Sequence, residues 1–279
     1  MQTFGHGHLA KRPEARANLF GKELWLFPGR EVAALVDLVE VDEVAESASR
    51  PGLGRLIKLA RKDRDGYRER GWAVVATADT IKPSQDPEVV TVEADIADPA
   101  AAGRIIGGAL ERFGRIDTLV NNAGACIRKP FTNYTAADYA AAVGVNLTEF
   151  FWMTQRAIAE MARRYGGHVV NIFTTLAEVA KPHAHAVLAA LTKGGLAAAT
   201  RSLAVEYASL GIRVNAVSPG MIQTPMHPAD SYDGLGDRLA PLGRAGQVSD
   251  VVDGVLFLES SPYITGEILH VDGGQVAGR

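Results

Sequence analysis

The chain has 279 residues, 47% of them hydrophobic and 22% charged, with a formal net charge of -3. That suits one large domain with a substantial core and excludes nucleic acid or an anionic membrane as the expected main partner. No apolar run reaches the roughly 18 residues needed to cross a bilayer, and the single cysteine, Cys126, excludes an intramolecular disulfide framework. The start, "MQTFGHGHLAKRPEARANLF", is basic but is followed by no apolar run of signal-peptide length, so the expected location is cytoplasmic.

Residues 1–70 do not follow the rhythm of the rest. "EVAALVDLVEVDEV" (31–44) reads as strand or helix, since short apolar runs are ambiguous. The charged "RLIKLARKDRDGYRERG" (55–71) reads as a helix. From residue 71 onward, β-branched runs alternate with alanine-rich helical stretches. Strands are expected in "GWAVVATAD" (71–79), "EVVTVEADI" (88–96), "IDTLVNNAG" (116–124), "GGHVVNIF" (166–173), "GIRVNAVSPG" (211–220) and "GEILHVDGG" (266–274). Among the helices between them, "DPAAAGRIIGGALERFG" carries Asp98 as expected N-cap and Gly114 as stop. This alternation implies right-handed βαβ units and a parallel sheet covered on both faces. The expected fold is α/β: a Rossmann-like, doubly wound parallel sheet in a single domain, with a divergent part over 1–70 and a regular part over 71–279.

In open parallel sheets, ligands bind beyond the carboxyl ends of the strands. Asp95, Asn122, Gly124, Thr174 and Pro219 all fall at such ends, and small residues such as Ala123 and Gly124 let a flat ring or a sugar approach the backbone. The motifs "NNAG" (121–124), "VNL" with Asn146, "NAVSPG" followed by "TP" (215–225) and "ITGEILHVDGG" (264–274), with Lys193 in "ALTKGGL", together resemble the short-chain dehydrogenase/reductase family over about three quarters of the chain. The resemblance implies an NAD(P)-dependent oxidoreductase acting on a small carbonyl or alcohol, assembled as a homodimer or homotetramer. It implies Asn146, Thr174 and Lys193 as catalytic residues. It implies Gly52, Gly54, Asp79, Asp95, Ile96, Asn122, Ala123, Gly124, Lys193, Pro219, Gly220 and Thr224 as the NAD or NADP site. No metal site is expected.

Two departures stand out. The family's glycine-rich phosphate loop has its nearest match in "SASRPGLG" (47–54). Gly52 and Gly54 keep the spacing, but Pro51 removes an N–H that would face a pyrophosphate. The pair reads as a degraded phosphate loop, as an ordinary turn, or as part of an unrelated segment such as a shifted reading frame would give. The second departure is Ala189, one helical turn before Lys193, where the family carries a proton-transferring tyrosine. Alanine neither gives nor takes a proton. His185 is a chemically competent surrogate if the helix begins early, after Pro182; His183, Tyr134 and Tyr139 are weaker in position, and Cys126 is a pocket-lining or simply a buried residue. Thr174 or Thr175 stands for the family's serine. Asp79, at the end of "GWAVVATAD" (71–79), would repel a 2′-phosphate and so favours NAD slightly over NADP. The segment 221–247 is where the family carries its substrate lid. The alternative to an oxidoreductase of atypical site is a non-catalytic relative: cofactor-sensing, regulatory or structural.

Overall fold

The computed structural model describes residues 15–19, 22–26, 32–36, 58–181, 184–224 and 240–278. The chain divides into two compact units, Met1–Arg30 and Glu31–Arg279. In the first, β1 (Ala15–Leu19) pairs antiparallel with β2 (Lys22–Leu26), a hairpin that the sequence reading did not foresee.

The second unit is built on a seven-stranded sheet. Its strands are β3 (Val32–Val36), β4 (Ala73–Ala78), β5 (Val89–Glu93), β6 (Thr118–Asn121), β7 (Gly167–Ile172), β8 (Ile212–Pro219) and β9 (Ile268–Val271). They lie in the order β5-β4-β3-β6-β7-β8-β9, and every neighbouring pair is parallel. The ambiguous run at 31–44 thus supplies a strand over 32–36, and that strand sits between β4 and β6. From β3 the chain runs outward to β5, then returns to β6 on the other side. That reversal is the switch point where a doubly wound sheet opens a ligand crevice.

Helices cover both faces. α1 (Lys58–Glu69) and α6 (Val248–Glu259) pack together on one; α2 (Ala101–Phe113), α4 (Glu149–Ala162) and α5 (Val187–Tyr207) cover the other. Strand alternation feeds both cores: Val74 and Ala76 join Tyr67, Val251 and Val255, whereas Val75 joins Ile105 and Met153. Because both faces are covered, β4 is buried at every position and reads as one apolar run. Gly114 ends α2 as expected, with a left-handed φ of 73° and its N–H on Leu110 O. Asp98 is not the cap. The N-cap is Ala100, and Asp98 lies two residues earlier, its carboxylate accepting from Ala100 N–H at 2.9 Å. The local bond to the chain wins over the cap geometry.

At the amino ends of the strands, opposite the crevice, a buried polar knot ties α1 and α6 to one face of the sheet. Glu259 Oε2, at the end of α6, accepts from Tyr67 Oη (2.9 Å), Thr118 Oγ1 (2.9 Å) and His168 Nδ1 (3.1 Å). Asn215 Nδ2 donates to His168 Nε2 at 3.0 Å. The imidazole is therefore neutral, with its proton on Nδ1. Burial holds His168 below its ordinary 6.5 despite the upward pull of Glu259. Burial also pushes Glu259 upward, but the bonds from His168, Tyr67 and Thr118 outweigh it and hold this carboxyl below its ordinary value. A histidine whose folded pKa is depressed contributes stability above about 6.5 that is lost on acidification, because the unfolded chain takes up a proton the folded one refuses. Melting temperature is thus expected to fall as pH drops from 7 toward 5. In His168→Gln, which keeps a donor toward Glu259, the slope should be visibly shallower; equal slopes would exclude His168 as its source.

Candidate active site

The helical stretch from Ala136 to Ala162 is interrupted. α3 (Ala136–Val143) opens with a capping box of Thr135 and Asp138. A π-helical turn over Gly144–Thr148 then separates it from α4. Such turns recur at functional sites because the extra residue swings a side chain out of helical register. Here it presents Asn146, which is 1% exposed. Its Oδ1 accepts from Ala125 N–H at 2.7 Å, and its Nδ2 donates to Ala125 O (3.0 Å) and to Thr192 Oγ1 (2.8 Å). The amide pairs with the Ala125 peptide as a strand neighbour would, clamping the segment after β6 to α5.

α5 buries one stripe: Leu188, Ala189, Thr192, Lys193, Leu196, Thr200 and Ala204. That spacing is the inner face of a helix packed on a sheet. Lys193 sits in the middle of it, and its Nζ donates to Ile172 O, at the end of β7, at 3.3 Å. Burial pushes this amine from 10.5 down to about 8, against the upward pull of Cys126 and Glu149. The amine lies directly over Gly124. A Cβ there would fall 2.2 Å from Lys193 Nζ, 2.7 Å from its Cε and 3.4 Å from Asn146 Oδ1. The glycine of "NNAG" is thus required by the approach of the lysine. Gly124→Ala should displace the amine while costing little stability, since only the tip of a flexible side chain has to move. The expected result is a melting temperature within a few degrees of wild type with dinucleotide affinity lowered at least about tenfold; unaltered affinity would contradict it.

The other strand-end residues flank this point. Asn122 is buried, and its Nδ2 has no hydrogen-bond partner among the described residues; Ala123 is buried beside it. Asp79 is exposed immediately after β4. Asp95 follows β5, exposed, with Oδ1 accepting from Ala97 N–H, and Ile96 turns into the core. Pro219 closes β8. Gly220 donates to Val271 O, and a Cβ on it would meet Asp272 Cα at 2.8 Å, so no side chain fits between β8 and the end of β9. Thr224 is half-buried. Thr174 and Thr175 follow β7. Thr175 is buried, its hydroxyl directed to Gln275 Oε1 at 3.2 Å, whereas Thr174 is half-buried and its hydroxyl accepts from Leu176 N–H. Gly52 and Gly54 fall between β3 and α1, outside the described residues, as do His183 and most of the lid segment, 225–239.

Ala189 is buried on the same stripe as Lys193, so the missing hydroxyl is missing from an inward position. His185 does not replace it. α5 begins only at Val187, so His185 lies outside the helix, exposed and with a left-handed φ of 47°. Its carbonyl accepts from Lys129 N–H and from Tyr134 Oη. Tyr134 Oη also lies 2.8 Å from Ile127 O, so this phenol braces two loops against each other. Tyr139 is exposed on α3, and Cys126 is half-buried next to the Ala125 clamp. Two contributors went unread in the sequence. Thr192 gave no signal beyond its place before Lys193. Glu149 gave one: it is the lone acid in the apolar "VNLTEFFWM".

A family model described as enoyl-(acyl carrier protein) reductase matches residues 68–275, well over half of the chain. The chain belongs to the short-chain dehydrogenase/reductase family. It is 34% identical over 236 residues to the 3-oxoacyl-acyl-carrier-protein reductase FabG of Staphylococcus aureus, covering 80% of this chain and 93% of that protein. A short-chain dehydrogenase/reductase from Serratia marcescens superposes with a TM-score of 0.70 at 26% identity, covering 88% of this chain and 97% of that one. ElxO with NADP bound shares the fold, with a TM-score of 0.75 at 24% identity over 89% of this chain and 99% of its own. Short-chain dehydrogenase/reductases are NAD(P)-dependent oxidoreductases. Among the described residues, no helix is long and apolar enough to cross a membrane.

Proposed function

We propose that this short-chain dehydrogenase/reductase binds NAD(P) at the carboxyl ends of β3, β6 and β7 and acts on a small carbonyl or alcohol without a phenol at position 189. The observation that carries this reading is the Lys193 amine, buried against Gly124 with one acceptor among the described residues, Ile172 O. A buried ammonium needs more than one long bond, and sugar hydroxyls would supply the rest. Asn122 Nδ2 fits the same reading, as a buried donor with no partner among the described residues.

In this reading Lys193 holds the nicotinamide ribose, while Asn122, Ala123 and Gly124 line the dinucleotide and Asp95 and Ile96 face the adenine. Pro219, Gly220 and Thr224 flank the nicotinamide end, and Gly52 and Gly54 are the candidates for the pyrophosphate. Asp79, at the end of the second strand of the family pattern, favours NAD over NADP through charge repulsion of a 2′-phosphate. The cofactor, when bound, gives or takes a hydride at the substrate carbon. Thr174 donates a hydrogen bond to the substrate oxygen and keeps its proton. Asn146 braces: its amide is taken up by Ala125 and Thr192, so it fixes where Lys193 and the β6 end meet. With alanine at 189, the proton for the substrate oxygen comes from water ordered beside Thr174 and Lys193, a poorer acid than a positioned phenol, and turnover is slower by about 10²–10⁴-fold. Exposed Phe151 on α4 and Leu191 and Val205 on α5 suit a homodimer or homotetramer interface, in the cytoplasm.

The test is titration of the purified protein with NADH and NADPH, following nicotinamide fluorescence and thermal shift. Saturable binding, tighter for NADH, is the expected result. No binding of either up to millimolar concentration overturns the proposal. Ala189 favours one other reading, a cofactor-binding but non-catalytic relative. Binding without turnover across a panel of ketones, aldehydes and alcohols would select it.

A further inference from the structure

The turn that presents Thr174 is too short to hold its own shape. β7 lets go of the chain at Phe173, whose N–H still bonds to Val217 O at 3.1 Å. A single 3₁₀ turn follows, Thr175–Ala177, closed by Ala177 N–H on Thr174 O and Glu178 N–H on Thr175 O, both at 3.0 Å. Helical runs of that length do not persist on their own bonds, so this one is placed by what its side chains reach. Thr175, buried at its start, has its hydroxyl 3.2 Å from Gln275 Oε1. Glu178, at its end, spans two strands. Its Oε1 accepts from Ser218 Oγ of β8 and its Oε2 from His270 Nε2 of β9, both at 2.8 Å. Ser218 and His270 are direct partners in the register of β8 and β9, so one carboxylate closes over a matched pair of side chains. The Ser218 half is out of water and the His270 half is at the surface; bonds to a carboxylate are stronger than those between neutral groups, and burial strengthens the first further. No other acid occurs between Glu160 and Glu206, so no carboxylate of β7, this turn or α5 as far as Glu206 stands in for it. The Thr174 hydroxyl accepts from Leu176 N–H at 3.3 Å, which leaves its own proton to be donated.

We propose that Glu178 is the positioning residue of Thr174: its carboxylate staples the turn after β7 to the paired ends of β8 and β9, and so fixes where the Thr174 hydroxyl stands. Glu178 touches no substrate in this arrangement; it acts through Thr174. Its bearing on turnover rests on the function proposed above, whereas the staple itself does not. Ser218 directly precedes Pro219 and Gly220, which that function puts at the nicotinamide end. The same carboxylate therefore keeps the donor to the substrate oxygen in fixed relation to the chain beside the hydride. A misplacement of about 1 Å at such a point costs about 10²-fold in rate.

The experiment compares Glu178→Ala, which removes both bonds, with Glu178→Gln, whose amide keeps the length, accepts from Ser218 and meets His270 with its amino group. The first readout needs no ligand. In threonine-methyl-labelled protein, with Thr174→Val assigning the peak, Glu178→Ala should shift the Thr174 resonance and leave that of Thr118, at the amino ends of the strands, in place. Amide exchange at Ala177 and Val179 should quicken at least about tenfold. The second readout is kinetic: on an accepted carbonyl substrate, kcat should fall at least about tenfold while the NADH Kd changes no more than about twofold. Glu178→Gln should restore most of each. A merely structural role would lower the melting temperature and leave the Thr174 resonance and the kcat of the folded protein as they are. A folded Glu178→Ala protein with wild-type resonance and exchange overturns the proposal, as does an unchanged kcat. Should that variant not fold, the double variant Ser218→Ala, His270→Phe removes the same two bonds and carries the same test. A wild-type protein without turnover would sink the proposed catalysis alone, since the resonance and the exchange still decide the staple.

Discussion

Lys193→Met is expected to melt at a higher temperature than wild type at pH 7 and to bind NADH and NADPH at least about tenfold more weakly. The two effects have one cause. The folded chain depresses the amine from 10.5 to about 8, chiefly by burial. A lysine shifted that way contributes stability above its unfolded pKa, loses it as pH falls toward the folded one, and carries the full cost below both. At pH 7 that cost is of the order of 3 kcal/mol. Methionine has similar length, fills the same apolar stripe beside Leu196 and carries no charge, so it removes the cost. It also removes the charge-assisted bonds proposed for the ribose, each worth about 1.5–3 kcal/mol, which converts to about 10- to 150-fold in affinity. Calorimetry at pH 7 and pH 10 checks the first part, since the stability gain should shrink as the wild-type amine loses its proton. Fluorescence titration checks the second. A variant that melts lower at pH 7 and binds equally well would show that Lys193 is merely a structural donor to Ile172 O.

Ala189→Tyr is expected to raise turnover on an accepted carbonyl substrate by about 10²–10⁴-fold, with dinucleotide affinity changed no more than a few-fold. Position 189 lies one turn before Lys193 on the same buried stripe, the spacing at which helical side chains meet. A phenol there would sit beside an ammonium, which lowers its pKa from about 10 toward neutrality. It would then supply general-acid catalysis that alanine lacks. The larger side chain enters a position that is 1% exposed, and overpacking typically costs about 1–3 kcal/mol, so melting should fall by several degrees. Steady-state rates for both proteins at saturating cofactor decide the matter. If the variant is folded and binds dinucleotide but is no faster, the missing phenol does not limit turnover here, and the non-catalytic reading gains.

Lys193 is legible as a charge inside an apolar helix, where chemistry demands a partner; Asn146 and "NNAG" are legible through their resemblance to the family's motifs. Gly124 shows the limit. Its presence is visible in the sequence, but the reason for it, the amine lying where a Cβ would be, appears only when α5 is folded over β6. The reading of His185 as a helical surrogate failed for a local reason: the helix begins at Val187, two residues too late to carry it. Asp98 failed similarly, because an Asp can bond to the chain two residues on without starting the helix itself.

By itself the sequence determined the parallel, doubly wound architecture of 71–279 and the strand ends at which a ligand would lie. Alternation of short β-branched runs with longer alanine-rich ones is a local property, fixed by how each segment must bury its face. Only the tertiary structure decided that the ambiguous run at 31–44 supplies the strand between β4 and β6, since strand and helix are equally open to a short apolar segment until neighbours offer it backbone partners. The tertiary structure also decided that Lys193 meets Gly124, its amine lying 2.2 Å from where a Cβ on that glycine would be. Burial and close approach depend on what stands opposite, and no spacing along the chain encodes that.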